Sequence, residues 1–107
     1  MTAYAVAHVR SVEFGPDIVG YLQRIDATLE PFGGRFLVHG GGVEILEGEW
    51  GLDVIVIEFP DRERLTAWWK SPAYQAILPL RTRNMRADIV LVDGVPEGYR
   101  AADALGH

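Results

Sequence analysis

Residues 54–57 read Val-Ile-Val-Ile, an unbroken run of β-branched side chains in the most apolar stretch of the chain. β-Branched residues favour extended backbone, and successive side chains of a strand point to opposite faces, so both faces of this strand are apolar. Residues 89–92, Ile-Val-Leu-Val, are likewise apolar on both faces. Strands of this composition are typically covered on both sides. The two runs therefore predict a sheet with an apolar surface on each face.

Turn residues and apolar spacing predict six elements in the order strand, helix, strand, strand, helix, strand. Asp61 and then Ser71-Pro72 each provide a helix start, so the second helix is expected to change direction at Ser71. The first helix follows Gly15-Pro16-Asp17, with an apolar stripe of Ile18, Leu22, Ile25 and Leu29. The strands are expected over residues 2–12, 35–46, 53–59 and 87–93, with a bend at Gly40-Gly41-Gly42 in the second.

This order is the βαββαβ arrangement of ferredoxin-like α+β domains, in which both helices cover one face of a four-stranded antiparallel sheet. The other face is bare, yet the two apolar runs make it apolar as well. A second copy of the chain is the simplest cover, so we expect a homodimer, sheet against sheet, that buries well above ~1,000 Å². The domain is expected to span residues 1–94. Residues 95–107 are expected to form a tail that is loose or packed on the partner subunit.

Composition excludes several classes of function. The 107 residues suffice for one domain, and the formal net charge of −5 disfavours nucleic acid and anionic membranes as partners. The chain contains no cysteine, which excludes disulfides, thiolate catalysis, and thiolate-bound zinc or iron–sulfur centres. The N-terminal segment lacks the pattern of a signal peptide, and no apolar run approaches the ~20 residues of a membrane span. A cytoplasmic location is therefore expected.

Two side chains are candidates for acid–base chemistry. Glu58 is the one acidic residue inside the most apolar strand, where a carboxylate must be paired, protonated or placed at the mouth of a cavity. It is interpreted as a general base or as an anchor for a polar ligand, and the structural alternative is a solvated strand end or an arginine partner. His39 abuts the glycine bend, where a ligand can approach the backbone, and is the second candidate base.

A metal centre is not predicted. His8 and His39 are expected about two strand spacings of ~4.8 Å apart, which is too far for one metal ion. The chain also lacks the Ser-His-Asp, HExxH and GxGxxG patterns, so no cofactor is expected.

Aromatic and cationic side chains suggest a pocket. Trp68 and Trp69 point about 100° apart on a helix, so one is expected in the core and the other at a pocket or interface. Arg81 and Arg83 follow the second helical segment, and an arginine can clamp a carboxylate. The alternative for these arginines is a solvated surface position or pairing with Glu47 or Glu58.

Four segments, FGGRFLVHGG, ILEGEW, VIVIEFPD and WWKSPAYQAILPLR, resemble the bacterial family named domain of unknown function 1330, in the dimeric α+β barrel superfamily. The resemblance covers about residues 3–94 and implies a ferredoxin-like subunit that forms a homodimer. Superfamily relatives include cofactor-free monooxygenases, isomerases, haem-degrading enzymes and ligand-binding modules, and a shared fold does not choose among them. The matching polar and aromatic positions are Tyr21, Glu47, Trp50, Glu58, Trp68, Tyr74 and Arg81.

The chain departs from this family at two positions. His39 and Asp53 stand where the family commonly has arginine, which predicts weaker binding of an anionic ligand than in relatives.

Together these features predict a small homodimer with a pocket between sheet and helices for a small, partly aromatic or apolar metabolite. Any catalysis is expected to be cofactor-independent proton transfer or oxygenation, with Glu58 or His39 as base and Arg81 as an electrostatic clamp. The alternative is a non-catalytic ligand-binding or structural interaction module. Ligand contacts are assigned to Tyr21, Glu47, Trp50, Trp68, Tyr74 and Arg81.

Overall fold

The structure is a computed structural model that describes residues 1–106. Short 3₁₀ turns at Glu30–Phe32 and Ala101–Ala104 complete the secondary structure. The predicted βαββαβ order is confirmed, with the second helix divided into two segments. The strands and helices are β1 (Ala3–Val12), α1 (Pro16–Leu29), β2 (Arg35–His39), β3 (Asp53–Phe59), α2 (Arg62–Lys70), α3 (Pro72–Thr82) and β4 (Met85–Asp93).

The four strands form one antiparallel sheet in the order β2-β3-β1-β4. Directly opposite residues of antiparallel strands share a face, so the register assigns every side chain to one of two surfaces. Ala5 lies between Ile57 and Leu91, whereas Val6 lies between Val56 and Val90. The helices cover the surface that contains Ala5, and the surface that contains Val6 is uncovered. We call these the helix face and the bare face.

Local sequence explains where the helices begin. The Asp61 side chain accepts a hydrogen bond of 2.8 Å from the Arg64 backbone N–H, and this cap starts α2. Ser71 accepts one of 3.2 Å from the Tyr74 N–H, while Pro72 occupies the first position of α3. The predicted change of direction at Ser71 is therefore confirmed. The helices pack on a core of Ala3, Ala5, Tyr21, Ile25, Leu29, Ile57, Phe59, Leu65, Trp68, Tyr74 and Ile77.

The apolar stripe of α1 differs from the expectation at one position. Tyr21 is buried instead of Leu22, whose side chain remains 40% exposed. Neighbouring residues of a helix point about 100° apart, so only one of the two can face the core. The Tyr21 hydroxyl meets the Tyr74 hydroxyl of α3, which places the tyrosine inward and leaves Leu22 at the flank.

The expected continuation of the second strand over residues 43–46 is wrong. Gly40, Gly41 and Gly42 have φ values of 80°, 70° and 67°, in the left-handed region that only glycine adopts readily. Three such residues in succession turn the chain away from β3, so the following segment has no strand to pair with. The loop returns at Leu52, whose N–H donates a hydrogen bond of 2.7 Å to the Val9 carbonyl.

The bare face, this loop and the tail leave apolar side chains in solvent. Val90 is 52% exposed on the sheet, and Leu46 is 88% exposed on the loop. The Cα radius of gyration is 15.3 Å, whereas a compact domain of this length is expected near 13 Å. The excess arises because residues 41–52 and 95–106 are exposed throughout. Within residues 1–106, no helix is both long and apolar enough to cross a lipid bilayer.

Candidate functional site

A cavity lies between the helix face of the sheet and helices α1 and α3. Its volume is about 70 Å³, whereas a single water occupies about 10–15 Å³. The cavity therefore has room for a small ligand in place of several waters. Its walls are mainly apolar and include Ala5, Ala7, Ile18, Leu22, Ile25, Phe36, Ile55, Ile57, Met85 and Ile89.

Two buried tyrosines in the cavity wall are joined through their hydroxyl groups. The Tyr21 and Tyr74 hydroxyls are 2.8 Å apart, and their rings meet edge to face with centroids 6.2 Å apart. Burial raises the pKa of Tyr21 far above its ordinary value, and the nearby Tyr74 adds to the shift through its charge and hydrogen bond. The Arg81 guanidinium acts in the opposite direction but does not cancel the effect. Tyr21 therefore stays protonated and retains a hydroxyl proton to donate.

Arg81 is the charged group of this cavity. It lies in the last turn of α3, is only 7% exposed, and lines the cavity beside Tyr21. Its Cζ atom is 6.0 Å from the centroid of the Tyr21 ring. In the part of the chain that the structure describes, none of the ion pairs involves Arg81. Arg81 is thus a buried residue without a carboxylate partner from residues 1–106.

His39 lies at the edge of the same cavity. It ends β2 and pairs with Ile55, which places its imidazole on the helix face. The ring stacks on Phe36 with centroids 4.8 Å apart and planes 14° apart. Because His39 is exposed on an edge strand, it is open both to solvent and to the cavity. His8 pairs with Val54 on the bare face, so β3 separates the two histidines and they face opposite sides of the sheet.

The two tryptophans of α2 have different environments. Trp68 is 2% exposed, donates its indole N–H to Thr28 Oγ1 at 3.0 Å, and packs against Tyr74 with centroids 4.2 Å apart. Trp69 is half-buried and also lines the cavity. Trp68 is thus both a core residue and a wall of the cavity.

Glu58 lies outside the cavity. It pairs with Tyr4 and Arg35 in the sheet register, and its side chain is on the bare face with Val54 and Val56. Arg35 donates to Glu58 Oε1 through Nε and Nη2, each at 2.9 Å. The arginine partner is therefore Arg35, not Arg81 or Arg83. The structure does not place this carboxylate near a ligand in the cavity.

Glu47 and Trp50 also belong to the other side of the sheet. They line a shallow groove formed by the loop and Val54. The Trp50 ring stacks on His8 with centroids 4.1 Å apart, and its indole N–H donates to the Asp53 carbonyl at 3.3 Å. Of the predicted site residues, the structure brings together in the cavity Tyr21, His39, Trp68, Tyr74 and Arg81.

Sequence reasoning missed the alanines that make room for the cavity. Ala5 and Ala7 occupy the helix face of β1, where larger side chains would fill the space. The alternation of alanine is visible in the sequence, and small side chains on one face of a strand favour close packing. Small side chains equally permit an open space where the helices do not pack directly against the sheet. Among residues 1–106, no group of three or more His, Cys, Asp or Glu side chains is placed to hold a metal ion.

The raised pKa of Tyr21 predicts a pH dependence of stability. Above a pH of about 10 the unfolded chain ionises this tyrosine, whereas the folded protein keeps it neutral. The associated stability is present below that pH and is lost as the pH rises further. In urea unfolding between pH 9 and 11.5, the wild type should lose up to about 1.4 kcal/mol per pH unit more than Tyr21→Phe. Equal slopes for both proteins above pH 10 would contradict the assignment.

Comparisons with known proteins agree with the fold. A family model described as "Domain of unknown function (DUF1330)" matches residues 2–95. The RPA0582 protein of unknown function from Rhodopseudomonas palustris is 15% identical, with a TM-score of 0.68 over 89% of this chain and 83% of that chain. A dimeric ferredoxin-like protein of unknown function from Jannaschia sp. CCS1 is 13% identical, with a TM-score of 0.61 over 88% of this chain and 100% of that chain.

A third similar structure has a described activity. SnoaB, a cofactor-independent oxygenase from Streptomyces nogalater, is 11% identical, with a TM-score of 0.55 over 92% of this chain and 96% of that chain. At such low identities the similarities show the fold alone. No curated protein matches the chain in sequence.

Proposed function

The chain belongs to the DUF1330 family, a domain of unknown function. We propose that each subunit of a homodimer binds one small, partly aromatic or apolar metabolite in the cavity between sheet and helices. The observation that carries this proposal is an apolar cavity with a few polar groups at defined points, the hydroxyls of Tyr21 and Tyr74 and the guanidinium of Arg81. Ligand sites typically combine apolar walls with a small number of placed polar groups.

The homodimer is proposed from the bare face. Its central valines Val6, Val56 and Val90 form an apolar surface that an isolated subunit leaves in water. A second sheet packed face to face would cover this surface and give the dimeric α+β barrel. The Jannaschia protein, which has the same fold, is described as dimeric.

Cofactor-independent proton transfer is the catalytic function that the cavity favours. His39 is the candidate base, because it lines the cavity whereas Glu58 lies on the opposite face. The Tyr21 hydroxyl and Arg81 can stabilise negative charge that develops on a substrate oxygen. Oxygenation of the kind described for SnoaB is the related alternative, supported by the shared fold. A non-catalytic binding module would use the same cavity without the base.

A cavity-filling variant tests the binding function. Wild-type protein is screened by thermal shift against aromatic acids, lactones, quinones and flavins. A compound present at 100 times its dissociation constant should stabilise the fold by about 2.7 kcal/mol and raise the melting temperature by several degrees. Ala7→Leu places a larger side chain in the cavity and should remove the shift. Ala67→Leu, the same change on the exposed side of α2, should retain it.

The outcome distinguishes the cavity from other sites. A compound that stabilises Ala7→Leu as strongly as wild type binds elsewhere and contradicts the proposal.

The same bound compounds, incubated with the protein in D₂O and followed by NMR, report on catalysis. Deuterium incorporation at a carbon acid supports proton transfer, and the absence of both deuterium and an oxygenated product from every bound compound favours the non-catalytic module.

A further inference from the structure

We propose that the ligand of this cavity carries a single carboxylate, which pairs with the Arg81 guanidinium, on an aromatic or apolar body. The inference rests on the proposed binding function and adds the chemical class of the ligand. Arg81 is buried in the wall of the cavity, next to the Tyr21–Tyr74 hydroxyl pair.

A buried guanidinium requires a counter-charge. Moving a cation out of water is costly unless an anion and hydrogen-bond acceptors replace its hydration. Within residues 1–106, the arginines that form ion pairs are Arg10, Arg35, Arg62 and Arg83, which all reach carboxylates on the outer surface. Arg81 is the buried arginine, and it has no such partner in that part of the chain. A ligand carboxylate would supply the missing charge.

The fold compensates this charge only in part. Arg81 lies in the last turn of α3, where the helix dipole favours a cation. Its Cζ atom is 6.0 Å from the centroid of the Tyr21 ring, at the limit of a cation–π contact. Arg81 also acts on the Tyr21 hydroxyl through its charge and a hydrogen bond, which lower the pKa of that tyrosine. None of these interactions supplies a negative charge. Arg81 therefore has a fixed position in the cavity wall and can still form an ion pair with a carboxylate.

The neighbouring hydroxyls complete a carboxylate site. An arginine presents several N–H donors in one plane and binds a carboxylate through two of them. Because burial keeps Tyr21 protonated, the tyrosine pair retains a hydroxyl proton that can be directed at the ligand. The other walls are mainly apolar, so a second charge deep in the cavity would be unpaired. These features select a monocarboxylate with an apolar remainder.

Matched acids and amides test this assignment directly. Benzoate, phenylacetate and cinnamate are compared with benzamide, phenylacetamide and cinnamamide by calorimetry on the full chain. Wild type should bind at least one acid about 10- to 100-fold more tightly than its amide, as expected for a hydrogen-bonded charge pair. Arg81→Met should lose this preference, and Arg81→Lys should retain part of it because it keeps the charge. Arg83→Met removes an exposed arginine paired with Asp17 and should leave the preference unchanged.

A second readout separates ligand binding from a purely structural role. Without ligand, Arg81→Met should melt at or above the temperature of wild type, because the substitution replaces a buried charge that has no carboxylate partner by an apolar side chain of similar length. A structural arginine predicts the reverse, a drop of several degrees. Such a drop, together with an unchanged preference for acids over amides, would overturn the proposal.

The outcomes also separate this inference from the proposed function. If acids and amides bind wild type equally and Ala7→Leu abolishes both, the cavity is a binding site but the carboxylate assignment is wrong. If acids bind Ala7→Leu as well as wild type, they bind outside the cavity and both proposals fail. If no acid binds wild type at millimolar concentration, the carboxylate assignment is overturned.

Discussion

Val90→Asp is expected to convert the homodimer into a monomer. Val90 is an exposed residue of β4 on the bare face, opposite Val6 of β1, so the substitution places a carboxylate in the proposed sheet-to-sheet interface. Two-fold symmetry introduces the charge twice, and each unpaired buried charge costs about 3–5 kcal/mol. The dissociation constant should therefore rise by about 10⁴-fold or more. Sedimentation velocity over a concentration series measures the change.

The isolated subunit should tolerate this substitution. Val90 is half in solvent without a partner, so an aspartate there stays hydrated in the monomer, and circular dichroism should be unchanged. Ala67→Asp, on the exposed side of α2, is the matched control and should remain dimeric. A wild-type chain that sediments as a stable monomer at micromolar concentration would contradict the dimer. So would a Val90→Asp variant that dimerises as tightly as wild type.

The proposed dimer would also give a role to the loop and the tail. The loop from Gly40 to Leu52 and the tail after Asp93 carry apolar residues that an isolated subunit does not bury, among them Leu46, Leu52, Val95 and Leu105. The tail of residues 95–107 is still predicted to be either loose or packed on the partner, and His107 lies outside the described residues.

Trp68→Ala is expected to cost about 3–5 kcal/mol of unfolding free energy, the usual range for truncating a buried tryptophan. Trp68 is nearly fully buried, and it packs against Phe59 and Tyr74 while its indole N–H donates to Thr28. The substitution removes these contacts and leaves a void next to an existing cavity. Because small domains have only about 5–15 kcal/mol of stability, the variant should approach global unfolding near physiological temperature.

Urea unfolding at 25 °C measures this loss. Trp69→Ala removes the half-buried neighbour from the same helix and should cost less, since Trp69 lies outside the fully buried core. Trp68→Phe keeps most of the ring and should fall between Trp68→Ala and wild type. A cost below about 1.5 kcal/mol for Trp68→Ala would indicate that the surrounding helices collapse onto the site, contrary to a core built around this ring.

The side of the sheet on which Glu58 lies could not be predicted from the sequence. Alternation along β3 placed Glu58 with Val54 and Val56, and Ile55 on the opposite face. Both sets are apolar enough to be buried, so alternation alone did not indicate which set the helices cover. The structure places the helices over Ile55, and the cavity with them. His39 pairs with Ile55 and enters the cavity, whereas Glu58 emerges on the bare face beside Arg35.

The sequence by itself determined the order of the elements, the helix starts at Asp61 and Ser71, and the apolar character of both sheet faces. These features depend on residues close together in the chain, whose capping hydrogen bonds and side-chain alternation act locally. Only the tertiary structure decided that Tyr21 rather than Leu22 is buried, that the chain leaves the sheet after Gly40, and that Arg81 lacks a carboxylate partner in the described chain. Each of these depends on which residues distant in the chain come into contact when the helices pack on the sheet. The local spacing of apolar residues does not predict those contacts.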